Sequence, residues 1–148
     1  MREVIPHCKG LPEKTFAAGE VVLKEGLKTG LMYILSSGSV EVVKGDFQIN
    51  VVSEPGSFFG EMSILLNQSH MATVRALEPA RFYVVNDPRA FVESHPDIIL
   101  ALAKLLAKRL HTVTSYLVDL KRQFEDNEDH LGMVDEVLES LIHHQEED

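Results

Sequence analysis

The side chains best placed for chemistry lie in one stretch, Pro55 to Ala76, PGSFFGEMSILLNQSHMATVRA. A glycine-punctuated loop leads into a short apolar segment, Met62 to Leu66, and the stretch ends in a β-like run, Ala72 to Ala76. A loop entering a short helix aims backbone N–H groups and the positive end of the helix dipole at one spot, which suits an anion. Glu61 stands beside that spot. A carboxylate there repels a phosphate but accepts hydrogen bonds from sugar hydroxyls. The pair of features points to a ligand with both a ribose and a phosphate. Helix capping is the plainer alternative for Glu61, and core packing is the plainer one for Phe59, Met62 and Leu65.

The other reactive residue types do not assemble. A metal-dependent enzyme on a β-roll needs two or three histidines and a carboxylate converging from neighbouring strands. The seven histidines stand at 7, 70, 95, 111, 130, 143 and 144, outside the predicted strands and with no His-x-His. No catalytic residue and no metal site is expected. Cys8, the one cysteine, excludes an internal disulfide and fits a reducing compartment. With no basic cluster to lower its pKa, it reads as a chance residue in a flexible leader rather than a catalytic thiol.

These residues need a scaffold, and 148 residues with 45% hydrophobic and 25% charged content make one globular domain with a real core. The apolar runs fall far short of the roughly 20 residues that span a bilayer, and MREVIPHCKG has no signal-like apolar run. No membrane span and a cytoplasmic location are expected. The net charge of -9 is uneven. Residues 1–124 carry all 14 basic and 13 acidic residues, whereas 125–148 carry 10 acidic and no basic ones. Such an acidic tail argues against nucleic-acid binding.

Residues 1–10 read as a leader. From Pro12 to Val52 the glycines fall at 19, 26, 30, 38 and 45, between Val21 to Leu23, Leu31 to Leu35, Val40 to Val43 and Ile49 to Val52. Short strands with frequent turn signals predict a β-sandwich or β-roll, with Lys44-Gly45-Asp46 turning a hairpin. Arg81 to Val85 is another strand. Asp87 and Pro88 are the N-cap and first position of a short helix, about Arg89 to Ser94, which His95-Pro96 breaks. Asp97 is read as the cap of the long helix that follows, 97–124.

That helix carries two interleaved heptad series: Ile99, Leu106, Val113, Leu120, and Ala103, Leu110, Leu117, Phe124. Four heptads make about 40 Å of helix, and the seam suits a partner helix. Packing on the roll is expected up to about Leu106, and a homodimer seam is expected over 106–124. Glu125 to His130 is a polar break. Leu131 to Gln145 forms a second amphipathic helix, which must dock within the chain, across a dimer or on another protein.

Phe16, Gly19-Glu20, Glu25-Gly26, Met32-Tyr33-Ile34, Gly38-Ser39-Val40, Gly56-Ser57-Phe58-Phe59-Gly60-Glu61, Ala72-Thr73-Val74, Phe91 and the long helix together resemble a cyclic nucleotide-binding domain. The likeness covers about residues 11–124, and His95 to Ser115 is similar to the dimerisation helix of the catabolite activator protein and its relatives. It implies an α+β fold: an eight-stranded antiparallel, jelly-roll-like β-roll with a short cassette helix, a long C-terminal helix and a terminal amphipathic helix, 125–148 being an acidic helical tail.

The resemblance also implies a ligand site of Phe59, Gly60, Glu61, Met62, Ser63, His70, Met71, Ala72, Thr73, Val113 and Thr114. Gly60 supplies a backbone amide, Glu61 takes the ribose 2′-hydroxyl, and Ala72 permits close packing of the cassette. Thr73 flanks the base or the cassette wall, and Val113 and Thr114 face the purine. No cofactor is implied; the ligand is cyclic AMP or cyclic GMP, with cyclic AMP favoured.

One position departs from the family. Its cyclic-nucleotide binders carry an arginine ten residues after the cassette glycine, where this chain has His70. A histidine offers one donor at a time and is largely neutral near pH 7. Losing a bidentate, charge-assisted contact costs about 2–3 kcal/mol, roughly 30- to 150-fold in affinity. His70 still donates to the phosphate, or the site takes a nucleoside or another neutral ligand, or the domain is a ligand-free scaffold. Arg75, on the following strand, need not reach the same pocket.

Function therefore reads as a non-enzymatic sensing module that relays closure of the long helix to an unidentified protein partner. An interaction scaffold with a vestigial pocket is the alternative. A DNA regulator is disfavoured because the residues after Phe124 are few and acidic.

Overall fold

A computed structural model describes residues 2–124 and 128–143. The chain divides into two compact units, residues 1–102 and 103–148.

The first unit is built on eight antiparallel strands: β1 (Glu13–Phe16), β2 (Val21–Leu23), β3 (Met32–Ser37), β4 (Val40–Lys44), β5 (Phe47–Val52), β6 (Phe58–Phe59), β7 (Thr73–Ala76) and β8 (Ala80–Val85). They form two four-stranded sheets, ordered β1-β8-β3-β6 and β2-β7-β4-β5. This is the expected α+β fold with its antiparallel β-roll. Strand β3 is flanked on both sides, pairing Tyr33 with Val84 and with Phe59. Its central residues are therefore apolar on both faces, and Met32 to Leu35 are all buried. Phe16, Tyr33, Phe59 and Phe82 meet edge-on in the core, with ring centroids 5.6 to 6.0 Å apart. Edge strand β5 pairs only with β4, and Phe47 stays 80% exposed.

Two strands escape the sequence reading. In β1 only Phe16 of EKTF is buried, and β6 is a two-residue strand inside what reads as loop. The hairpin at Lys44-Gly45-Asp46 joins β4 and β5 as expected.

Cassette helix α1 is Glu61–Leu66, and α2 is Pro88–Glu93. The Asp87 side chain caps α2 by accepting the Ala90 N–H at 3.2 Å. The long helix α3 runs Pro96–Gln123. The His95 carbonyl accepts the Ile98 and Ile99 N–H groups, so Asp97 lies in the first turn and is not the cap. Ile98 and Leu102 of α3 are buried, and the first unit ends at Leu102, one turn short of the expected Leu106.

The leader corrects a second expectation. Arg2–Cys8 is a 3-10 helix with Val4 and Cys8 buried. Cys8 is 0% exposed, and burial pushes its thiol up to about 11. It is a packed core residue, inert because its thiolate is desolvated, rather than a residue of a flexible leader.

The second unit holds the rest of α3 and helix α4, Glu128–His143. Helix α4 starts before Leu131, inside the expected polar break, and its expected end at Gln145 lies outside the described residues. It docks within the chain: Val134 is buried, and Lys121 on α3 pairs with Asp135 on α4. Among the described residues, no helix is long and apolar enough to cross a membrane.

Candidate functional site

The site is the segment from β6 to β7. Gly60 opens α1 with φ 88°, a left-handed conformation that an L side chain rarely adopts. A Cβ there would also sit 2.7 Å from the Leu31 carbonyl oxygen. Only glycine lets the chain turn from β6 into α1 while lying against the approach to β3. Glu61 and Ser63 then point inward, at 5% and 4% exposure. Met62 is exposed, as a residue one position round the helix must be. Ser63 Oγ is a buried hydroxyl with no hydrogen-bond partner among the described residues. An unmet polar group of this kind costs about 1–3 kcal/mol.

The far end of the cassette is laced to a loop some forty residues upstream. Asn67, with φ 51°, closes α1, and its side-chain oxygen accepts from Lys28 Nζ at 2.7 Å. The His70 N–H donates to the Leu27 carbonyl, and the His70 carbonyl accepts the Gly26 N–H. The His70 ring is 4% exposed and shares a 2.9 Å hydrogen bond between Nε2 and Thr29 Oγ1. Thr29 Oγ1 also accepts the Leu31 N–H at 3.3 Å. Burial lowers the His70 pKa from its ordinary 6.5, which favours the neutral ring.

Met71 is exposed and Ala72 half-buried. Thr73, the first residue of β7, accepts the Glu25 N–H through its hydroxyl at 3.1 Å. The Glu25 carboxylate in turn accepts the Gly45 N–H at 3.0 Å and pairs with Lys44. That backbone donor, with the Lys44 charge, holds the Glu25 pKa below its ordinary value. Arg75 is engaged by Glu41 on β4 at 3.2 Å.

The structure thus gathers Gly60, Glu61, Ser63, His70, Ala72 and Thr73 along one cassette. Phe59 belongs to the aromatic core, 5.9 Å from Phe82. Val113 and Thr114 lie on α3 in the second unit, Val113 exposed and Thr114 half-buried. Sequence reasoning did not identify Lys28, Thr29 or Glu25 as supports. Glu25 entered only as part of the family pattern, and the signal for Lys28 and Thr29 is a position in a loop between glycines, because their partners are distant in sequence. Among the described residues no three metal-ligating side chains come together. The arrangement sets hydrogen-bonding groups along one partly buried segment, groups of the kind a polar ligand can meet.

The cyclic nucleotide-binding domain family matches residues 13–91 of the chain. A cAMP-dependent protein kinase regulatory subunit from Yarrowia lipolytica is 38% identical over 71 residues, 48% of this chain and 19% of that protein. A cGMP-dependent protein kinase from Eimeria tenella is 35% identical over 66 residues, 45% of this chain and 6% of that protein. The chain therefore matches only a small part of either relative. Among solved structures, the catabolite activator protein of Thermus thermophilus aligns with a TM-score of 0.69 at 25% identity, covering 80% of this chain and 59% of that one.

Proposed function

The chain belongs to the cyclic nucleotide-binding domain family, and we propose that it is a non-enzymatic sensing module holding a cyclic purine nucleotide, cyclic AMP in preference to cyclic GMP, in the β6–β7 cassette. The observation that carries this reading is the pairing of the glycine-only turn at Gly60 with two inward polar side chains, Glu61 and Ser63. The Gly60 amide meets the phosphate, Glu61 takes the ribose 2′-hydroxyl, and the unpartnered Ser63 hydroxyl gains a partner. The similar kinase regulatory subunit named for cyclic AMP supports that nucleotide. Val113 and Thr114 on the long helix close over the purine, residues 106–124 form the seam of a homodimer, and closure is relayed to a protein partner in the cytoplasm. Closure is driven by the difference in ligand affinity between the open and closed states.

In this reading His70 donates to the phosphate, and the phosphate charge draws a proton onto the ring. Binding then takes up a proton above the pKa of the free site. A second reading has one observation in its favour: the His70 ring is already committed to Thr29 and kept neutral by burial. A pocket of that kind suits a nucleoside, or none at all.

Titration calorimetry of the wild type and His70→Arg against cyclic AMP, cyclic GMP and adenosine separates the readings. Cyclic AMP should bind the wild type with proton uptake, read as a buffer-dependent heat, and should bind the arginine variant roughly 30- to 150-fold more tightly. Heat from adenosine alone would select the nucleoside reading. Silence with every ligand, in both proteins, would leave only the scaffold.

A further inference from the structure

We propose that the α3–α4 hairpin docks on the same hairpin of a second copy of this chain, α3 of each copy against α4 of the other, as a four-helix bundle. This deepens the homodimer named above and is independent of what the cassette binds.

The first ground is unburied apolar surface. Among the described residues of the second unit only Val134 is buried. Leu110 and Tyr116 on α3 are 46% and 64% exposed, and Met133, Val137 and Ile142 on α4 are 69%, 45% and 53% exposed. Between the helices lies a groove of about 350 Å³, lined by Leu117 and Leu120 of α3, Phe124 at its end, and Met133, Val134 and Val137 of α4. The cause is geometric. Each helix carries an apolar stripe about 100° wide or more, and in a lone hairpin each has a single helical neighbour to cover it. In a four-helix bundle each helix has two adjacent neighbours and the stripes close on a common core.

Charge selects the occupant. Residues 103–124 carry five basic residues and one acidic, whereas 128–143 carry five acidic and none basic. The hairpin is thus one cationic helix beside one anionic helix, already joined by Lys121 and Asp135. A second copy related by a two-fold axis presents the opposite sign to each helix, α4′ to α3 and α3′ to α4. Like-charged helices fall on the diagonals, where they meet through the apolar core. An interface of this isologous kind is complementary to itself. A bare α3–α3′ seam would set two cationic helices side by side.

Sedimentation equilibrium of the full chain, with and without cyclic AMP, tests the proposal. The wild type should be a dimer whose dissociation constant rises several-fold between low and high salt. Met133→Glu with Val137→Glu places charges in the interface and should weaken dimerisation by about a hundredfold or more, with the far-ultraviolet helix signal retained. If that signal is lost, Tyr116→Glu on the other helix decides by the same criterion. A monomeric wild type, a dimer untouched by the decisive variant, or a dimer indifferent to salt overturns the proposal. Dimerisation without ligand heat sinks the cyclic-nucleotide reading and leaves the bundle, and ligand heat from a monomer sinks the bundle together with the homodimer seam and leaves the cyclic-nucleotide reading.

Discussion

The β-roll and the helical hairpin are both rich in apolar residues at regular spacing, yet they use them differently. In the roll Ile34, Leu35, Val40 and Phe82 are all 0% exposed, while among the described residues of the hairpin Val134 alone is buried. Two sheets and their flanking helices enclose a core from every side, whereas two helices cover each other along one strip only. The contrast extends to glycine. Gly60 in the roll is the only residue its turn and its neighbour Leu31 permit; at Gly132 in α4 an added Cβ meets nothing. A scaffold completed by its own chain can hold a cassette in shape. The sparsely packed unit is the less stable of the two by itself, because local stability follows the density of buried contacts.

Four measurements would break or sharpen this contrast. The largest effect is expected from Phe82→Ala, which empties the centre of the aromatic core and should cost about 3–5 kcal/mol in denaturant unfolding. Leu110→Ala in the hairpin, measured below the dimer concentration, should stay within about 0.5 kcal/mol of the wild type. Comparable costs at the two sites would end the distinction.

Gly60→Ala comes next. Its left-handed φ and the 2.7 Å approach to Leu31 should cost about 1–3 kcal/mol and abolish whatever the cassette binds. An unperturbed melting curve would mean that the turn can relax.

The third measurement is pH dependence in the roll. Burial depresses the folded-state pKa of His70 below 6.5, so the unfolded chain takes up the proton first. The stability this residue contributes is fully present above about pH 6.5. It is lost as pH falls from there through the folded-state value, at up to about 1.4 kcal/mol per pH unit. The stability difference between the wild type and His70→Gln should therefore shrink or change sign from pH 7 to 5. Parallel profiles would count against a neutral buried ring. The smallest effect is a gain: Gly132→Ala should stabilise α4 by about 0.8–1 kcal/mol, read as increased helicity on heating.

Much of the roll was legible because its signals are local. Alternation in Val40-Glu41-Val42, the turn at Gly45 and the cap at Asp87 each depend on a few adjacent residues, and each sits where the sequence placed it. Strand β6 was not legible, since two phenylalanines inside a glycine-flanked loop become a strand only when β3 lies beside them. Cys8 was misread for a similar reason. Nothing near it in the sequence announces the packing that buries it.

At the cassette the same division holds. The order loop, short helix, strand, with Gly60 at its turn and Glu61 after it, was determined by the sequence, because glycine torsions and side-chain periodicity are properties of neighbouring residues. So was the substitution of His70 for an arginine. The commitment of its ring to Thr29, the tie of Thr73 through Glu25 to the hairpin at Gly45, and the burial of Ser63 with no partner among the described residues were decided only by the tertiary structure. Those contacts join residues far apart in the chain, and no local pattern encodes which distant loop will arrive to make them.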